Sequence, residues 1–415
     1  MNRLQFYIAF THMRSKLKQT IVATAGVAFG IAVFIFMVSF IVGVGEYTWA
    51  VSMSQTPDVR LYNEVSANEV SILQQQYPAD VNIVHHVKPK EEMLNLKDGR
   101  QAVKQLSQDP RVQAVAASLS TQVFYHLGAV NINGRILGID VEAEDRLFNL
   151  SDKIITGSLE QLSTRPNSLV MGAGLARKLN VSTGDHLTVT TNRGGSFLVT
   201  VTGIFKTGLT AIDDEQSYAS LNTVQRLLGV PASYITDIKV RLHDNEQAPE
   251  LAAAWARRFD YSASDWQQDN ATLLASERLR SLIVYGVAVT ILMVAGFGIF
   301  NILTMMIYEK MKDIAILKAM GFSDRDVRWI FLAQALTIGV AGALAGLCFG
   351  FLMAWGISKV PYKSDIMISL DHLPVSFDII YYVTAFCFGL ITTTLAGFLP
   401  SRKAAKLDPI NIIRG

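Results

Sequence analysis

Residues 20–45 read TIVATAGVAFGIAVFIFMVSFIVGVG, 26 positions without one charged side chain. A helix needs about 20 predominantly apolar residues to cross the hydrocarbon core of a bilayer. Three further uncharged runs of that kind follow: Ser281–Tyr308, Trp329–Ser358 and Ile379–Leu399. Between the first and the second lie 235 residues of mixed polarity, Glu46–Arg280, whereas the other two gaps are short. The pattern predicts an α-helical membrane protein with four transmembrane helices in a 1+3 layout. A large α+β extracytoplasmic domain is inserted after the first helix.

The composition agrees with that layout. Half of the 415 residues are hydrophobic and only 17% are charged, against about 25% in soluble domains. A net charge of +2 gives no basic surface for nucleic acid. The cations are unevenly placed. Arg3, Arg14, Lys16 and Lys18 precede the first span, and Lys310, Lys312, Lys318, Arg325 and Arg328 follow the second. Arg402, Lys403, Lys406 and Arg414 follow the fourth, but the gap between the third and fourth holds only Lys359 and Lys363. The positive-inside rule places both termini and the 309–328 segment in the cytoplasm and the large domain on the other side. The first apolar run is longer than the ~7–15 residues of a signal-peptide core, which predicts a retained anchor. Cys348 and Cys387 both fall inside spans, so the outer domain folds without disulfides.

The boundaries follow. Residues 1–19 form a cytoplasmic amphipathic helix, and the spans occupy 20–45, 281–308, 329–358 and 379–399. The outer domain covers 46–280, with a membrane-near subdomain (46–147 and 231–280) and a β-rich insert (148–230). A cytoplasmic segment covers 309–328, an outer loop 359–378 and a cytoplasmic tail 400–415. Within the outer domain, Val59–Tyr62, Val112–Ser118, Ser168–Met171 and Tyr234–Leu242 read as strands. Asn133-Gly134 inside Ala129–Ile139 signals a hairpin turn. A second hairpin joins Leu187–Thr190 to Phe197–Phe205 across 192–195. The helix 271–280 leads into the second span, a route by which domain movement reaches the membrane.

The spans hold no Asp, Glu, Lys, Arg or His, which argues against a proton or cation transporter. Gly342, Gly346 and Gly350 repeat every four residues in the third span, and Gly26 and Gly30 do so in the first. Small residues at that spacing let helix backbones approach in lipid. No phosphate-binding Gly-x-x-x-x-Gly-Lys-Ser/Thr loop is present. His85 and His86 would point to opposite faces of a strand, a poor metal pair. The chain has no apparent enzyme site.

The cytoplasmic segment 308–321, YEKMKDIAILKAMG, is more telling. Ile307, Met311, Ile314 and Leu317 recur at helical spacing. Gly321 is placed to end that helix, and Ser323 to Asp326 to cap the next. Nothing obvious in the chain covers the apolar face, which leaves a docking partner protein or the lipid headgroups as its cover.

Glu309, Asp313-Ile314, the run Ile316 to Gly321 and Asp326-Val327 resemble the cytoplasmic segment of the MacB/FtsX-type permease family. The ending Pro400 to Arg414 is similar to that family's C-terminus, and the likeness covers essentially the whole chain. The resemblance implies a permease subunit of a mechanotransmitting ABC transporter that pairs with a second permease, identical or homologous. ATP and magnesium would sit on a separate dimeric ATPase, and this chain itself would bind no cofactor. It implies that Tyr308, Glu309, Lys310, Met311, Asp313, Ile314, Leu317, Lys318 and Gly321 form the ATPase-coupling helix.

Gly138-Ile139-Asp140, residues 167–184 and Ser264-Asp265-Trp266 are similar to stretches of the lipoprotein-releasing branch, LolC and LolE. That branch implies release of lipoproteins from the bacterial inner membrane toward a periplasmic chaperone. Acyl chains would then contact Phe36, Phe40, Ile41, Tyr285 and Val289. One departure stands out: the hairpin tip at 192–195 is short where one permease of that branch carries a chaperone-recruiting hook. The alternatives are a MacB-like export permease working with a periplasmic adaptor and outer-membrane duct, and an FtsX-like signalling scaffold.

Overall fold

The computed structural model describes residues 3–64, 94–191, 194–364 and 370–405. His85 and His86, Asn192 and Arg193, and the ending beyond Ala405 lie outside the described residues. The chain divides into two compact units. One comprises residues 1–48, 275–363 and 371–415, the other 49–274 and 364–370.

The helices of seven residues or more begin with α1 (Arg3–Ser15), α2 (Leu17–Met53), α3 (Gly99–Leu106) and α4 (Val141–Phe148). Next come α5 (Ala173–Leu179), α6 (Leu221–Leu228) and α7 (Ala248–Phe259). The series ends with α8 (Ala271–Glu309), α9 (Met311–Ala319), α10 (Asp324–Ser358) and α11 (Ile379–Ala405). Four of these, α2, α8, α10 and α11, are long and apolar enough to cross a membrane.

In the helical unit the glycines explain how two of the long helices meet. An added Cβ on Gly342 would come within 2.6 Å of Val27 Cβ. One on Gly346 would lie 2.7 Å from the Ala28 carbonyl oxygen, and one on Gly350 would lie 2.9 Å from Ile35 Cβ. The repeat on α10 thus lets α2 lie against it, where lipid supplies no hydrophobic drive for association. Val27, Ile31 and Ile35 are buried at this contact, with Ala23 and Val38 on the same stripe. Gly30 faces another helix, its added Cβ falling 3.2 Å from Ala295 Cβ, and Gly26 meets nothing within 4 Å.

The other unit is α+β. Its strands are β1 (Val59–Tyr62), β2 (Val112–Leu127), β3 (Val130–Ile139), β4 (Ile154–Gly157) and β5 (Ser168–Gly172). The rest are β6 (His186–Thr191), β7 (Ser196–Phe205), β8 (Gln216–Ser220), β9 (Asp237–Leu242) and β10 (Ser262–Asp265). They form one mixed sheet in the order β10-β1-β9-β2-β3-β8-β5-β7-β4, with β6 pairing with β2 and β7. The β3–β8 and β5–β7 pairs are parallel. Strand β2, 16 residues long, pairs with β9 in its first part and with β6 in its second. The sheet therefore runs unbroken across the boundary expected at 147/148. Tyr125, Ile136, Leu169, Val201 and Val224 build one core of this unit, and Leu61, Leu106, Ile238 and Trp255 another.

The hairpin turn expected at Asn133-Gly134 is not there. Asn133 and Gly134 sit inside β3, opposite Phe124 and Val123, and the chain reverses at Gly128, where φ is +59°. Glycine at 134 serves close packing instead. A Cβ there would lie 2.6 Å from the Glu215 carbonyl oxygen and 2.7 Å from the Tyr125 ring, the use of glycine expected where another group crowds a strand.

Candidate functional site

The elbow between α8 and α10 gathers most of the residues singled out from the sequence. The backbone leaves helical geometry at Lys310, with ψ near +11°, and α9 starts one residue later. Lys310 Nζ donates to Asp313 Oδ2 at 2.7 Å. Gly321, at φ +98°, closes the helix in the left-handed region, which costs glycine least. Ser323 then opens α10 with a capping box. Its Oγ accepts from the Asp326 N–H, and the Asp326 carboxylate accepts from the Ser323 N–H at 3.0 Å.

The expectation that the apolar face of α9 lies uncovered is overturned. Ile314 is buried among Ile307, Val327, Phe331 and Ala404, so both α10 and the end of α11 cover it. Leu317 packs against Ala9, Ile330 and Ala333, the first of these on α1. Lys318 Nζ donates to the Ala405 carbonyl at 2.8 Å and pairs with Asp324 at 2.9 Å. Glu309 is held by Lys16 Nζ at 2.7 Å and by Gln19 Nε2 at 2.9 Å. Met311 is half-buried and borders a crevice of about 60 Å³ beside Pro400 and Lys403. Six of the nine proposed coupling positions (Glu309, Lys310, Asp313, Ile314, Leu317 and Lys318) are therefore spent on internal contacts.

What remains open is the opposite face. Tyr308 is 60% exposed, Ile316 53% and Met320 71%, and Lys312 is exposed between them. The spacing of four residues puts Lys312, Ile316 and Met320 in one row, and Tyr308 lies on α8 just before the break at Lys310. Ile316 and Met320 were missed in the sequence as surface residues, whereas the charge of Lys312 already set it off the apolar stripe. The available signal was that Ile316 and Met320 fall out of phase with the 307–311–314 stripe, of which Ile307 and Ile314 are buried and Met311 half-buried. His12 of α1 lies beside the elbow. Burial, and next the Lys310 cation, hold its imidazole below the usual histidine range, with Asp313 opposing.

The residues expected to meet acyl chains do not line one pocket. Val289 borders an apolar groove of about 470 Å³ between α8 and α11, with Phe297, Phe300, Phe388 and Leu395. Phe36, Phe40 and Ile41 are half-buried on α2, and Tyr285 is 71% exposed. Among the described residues, no group of three or more His, Cys, Asp or Glu is arranged to hold a metal ion.

The sheet unit contains a second concentration of polar chemistry. A cavity of about 260 Å³ lies on one face of five adjacent strands. There Lys239 Nζ donates to Glu144 Oε1 at 2.6 Å, and Arg60 Nε donates to Asp237 Oδ1 at 2.7 Å.

Comparison with known proteins comes to the same place from outside. A family model for the MacB-like periplasmic core domain matches residues 20–258, and one for the FtsX-like permease C-terminal region matches residues 285–409. The chain is 25% identical over 346 residues to the lipoprotein-releasing system transmembrane protein LolC of Xylella fastidiosa (strain 9a5c), covering 77% of this chain and 82% of that one. It is 22% identical over 435 residues to the lipoprotein-releasing system transmembrane protein LolE of Haemophilus influenzae, covering 98% of each. It is 27% identical over 335 residues to the macrolide export ATP-binding/permease protein MacB of Agrobacterium fabrum, covering 74% of this chain and 47% of that one.

Proposed function

We propose, for a chain that belongs to the MacB/FtsX-type family of ABC transporter permeases, that it releases lipoproteins from the bacterial inner membrane. The energy comes from ATP hydrolysed, with magnesium, on a separate ATPase dimer. The permease acts beside a second permease, with both termini cytoplasmic and the large domain periplasmic. The cation distribution supports this orientation. The end-to-end match to a lipoprotein-releasing permease supports the substrate.

The observation that carries the coupling role is the exposed row Lys312, Ile316 and Met320 along α9, with exposed Tyr308 just ahead of it on α8. Its helix is anchored from behind by Ile314, Leu317 and Lys318. An apolar residue pair left facing outward from an element fixed in this way suits a protein partner. Closure of the ATPase dimer would press on this row and tilt α8 and α10 together. The mechanical stroke would then reach the periplasmic domain through α8.

The test is purification of the complex in mild detergent, with mass spectrometry of what accompanies it. Wild-type chain brings down an ATPase and triacylated lipoproteins. The double variant Ile316→Asp, Met320→Asp loses the ATPase and its stimulated hydrolysis while the chain itself stays folded. Undiminished ATPase in the variant sinks the coupling face. A membrane-fusion adaptor in place of lipoproteins sinks the substrate. That second outcome is the export reading; the short connection of four residues between β6 and β7 fits it and fits equally the hookless member of a lipoprotein-releasing pair.

A further inference from the structure

The polar cavity of the sheet unit has no part in coupling or in acyl-chain binding, yet it is built as a ligand site. Period-two alternation places Arg60 (β1), Lys239 and Asp237 (β9), Ser118 (β2) and Arg135 (β3) on the same face of adjoining strands, with Glu144 of α4 above them. Its volume of about 260 Å³ is room for about eight waters at bulk density. Past Arg60, Asp237 and Arg135 it shares its lining with a second cleft of about 510 Å³, which supplies a way in.

Two polar atoms on its wall are buried and lack a hydrogen-bond partner among the described residues, Glu144 Oε2 and Ser118 Oγ. Glu144 is 1% exposed and Ser118 0%. A buried polar group left unsatisfied is costly, and two on one cavity wall ask for an occupant. Arg135 is exposed at the rim, and no described group pairs with its guanidinium.

The charges define the chemistry of that occupant. Glu144 is already matched by Lys239 at 2.6 Å, and Asp237 by Arg60 at 2.7 Å. The remaining lining charges are one cation, Arg135, and one anion, Asp269. The site therefore carries no net charge. An ammonium group approaching Glu144 Oε2 would meet Lys239. A hydroxyl meets no such repulsion, because it gives its proton to Oε2 and accepts from Ser118 or Arg135. Leu137, Ile212 and Tyr218 supply an apolar wall for the C–H face of the same molecule. We infer that this cavity binds a neutral polyhydroxylated ligand, a sugar residue seated with vicinal hydroxyls on Glu144 and Ser118 and its outer edge on Arg135. The assignment is independent of the lipoprotein reading.

The experiment uses the full chain in nanodiscs, with D-glucose and N-acetylglucosamine as probes and dialanine as a zwitterionic control. Binding is followed by saturation-transfer NMR and calorimetry. The expected result is saturable sugar binding, weakened about tenfold or more in Glu144→Gln by loss of a hydrogen bond to a charged acceptor. Arg135→Met, an exposed position, weakens binding with the unfolding midpoint unchanged, so a folding defect in the first variant does not decide the matter. Failure of both sugars to bind the wild-type chain, undiminished binding in Arg135→Met, or binding of dialanine in their place each overturns the assignment.

Discussion

Two lysine–glutamate pairs sit in the two units of this permease, and their geometry is nearly the same. Lys16 reaches Glu309 at 2.7 Å, and Lys239 reaches Glu144 at 2.6 Å. Their surroundings differ. The first pair's side chains are 42% and 29% exposed, the second pair's 14% and 1%. Glu309 also takes a hydrogen bond from Gln19, whereas Glu144 Oε2 has no partner among the described residues. Distance alone ranks the pairs as equals. Burial separates them, because exposed pairs are screened and pay side-chain entropy, while a buried ion depends on its counter-charge.

The largest effect is therefore expected from Lys239→Met. It leaves Glu144 buried without its cation, and breaking a buried pair costs about 3–5 kcal/mol. Chemical denaturation of the full chain, read by a tryptophan signal from the sheet unit, measures it. Adding Glu144→Leu to the same chain should recover much of the loss, since an apolar pair of similar volume tolerates burial. If the single variant is as stable as wild type, the contrast between the two pairs fails.

Lys16→Met tests the other member. It should leave the unfolding midpoint where it is, because an exposed pair contributes little. Its consequence is positional. Lys16 is the turn residue between α1 and α2, and Glu309 ends α8, so the pair ties the junction before one long helix to the coupling elbow. Stimulated ATP hydrolysis should fall modestly with ATPase binding retained. A large drop in stability would break the comparison, and unchanged hydrolysis would remove the positional role.

This contrast also marks how far the sequence could be read. The spans were legible because uncharged runs such as 20–45 have few alternatives. The capping pair Ser323 and Asp326 was legible because its partners are three residues apart. Contacts between distant segments were not. Glu144 and Lys239 are 95 residues apart, and Gln19 and Glu309 are 290 apart, so neither partnership leaves a local pattern. The cover on α9 was missed for the same reason, since it comes from α1, α10 and α11. Asn133-Gly134 misled in the opposite way. A strong local turn signal was overridden by the tertiary demand for space beside Tyr125.

The smallest effect concerns pH at the elbow. His12 is half-buried, and its Nδ1 has no hydrogen-bond partner among the described residues. Burial first, then the Lys310 cation, lower its pKa below the ordinary 6.5. A lowered folded value means that the unfolded segment binds the proton more readily. Packing of α1 is thus favoured above about pH 6.5 and loses support as pH falls through the folded value. Amide exchange across residues 6–15 should accelerate between pH 7.5 and pH 5.5, after correction for the intrinsic rate. His12→Gln should flatten that dependence with little change at pH 7.5. A dependence that survives in His12→Gln would assign the effect to the carboxylates of the elbow, and the exposed pair would then be the more pH-sensitive of the two.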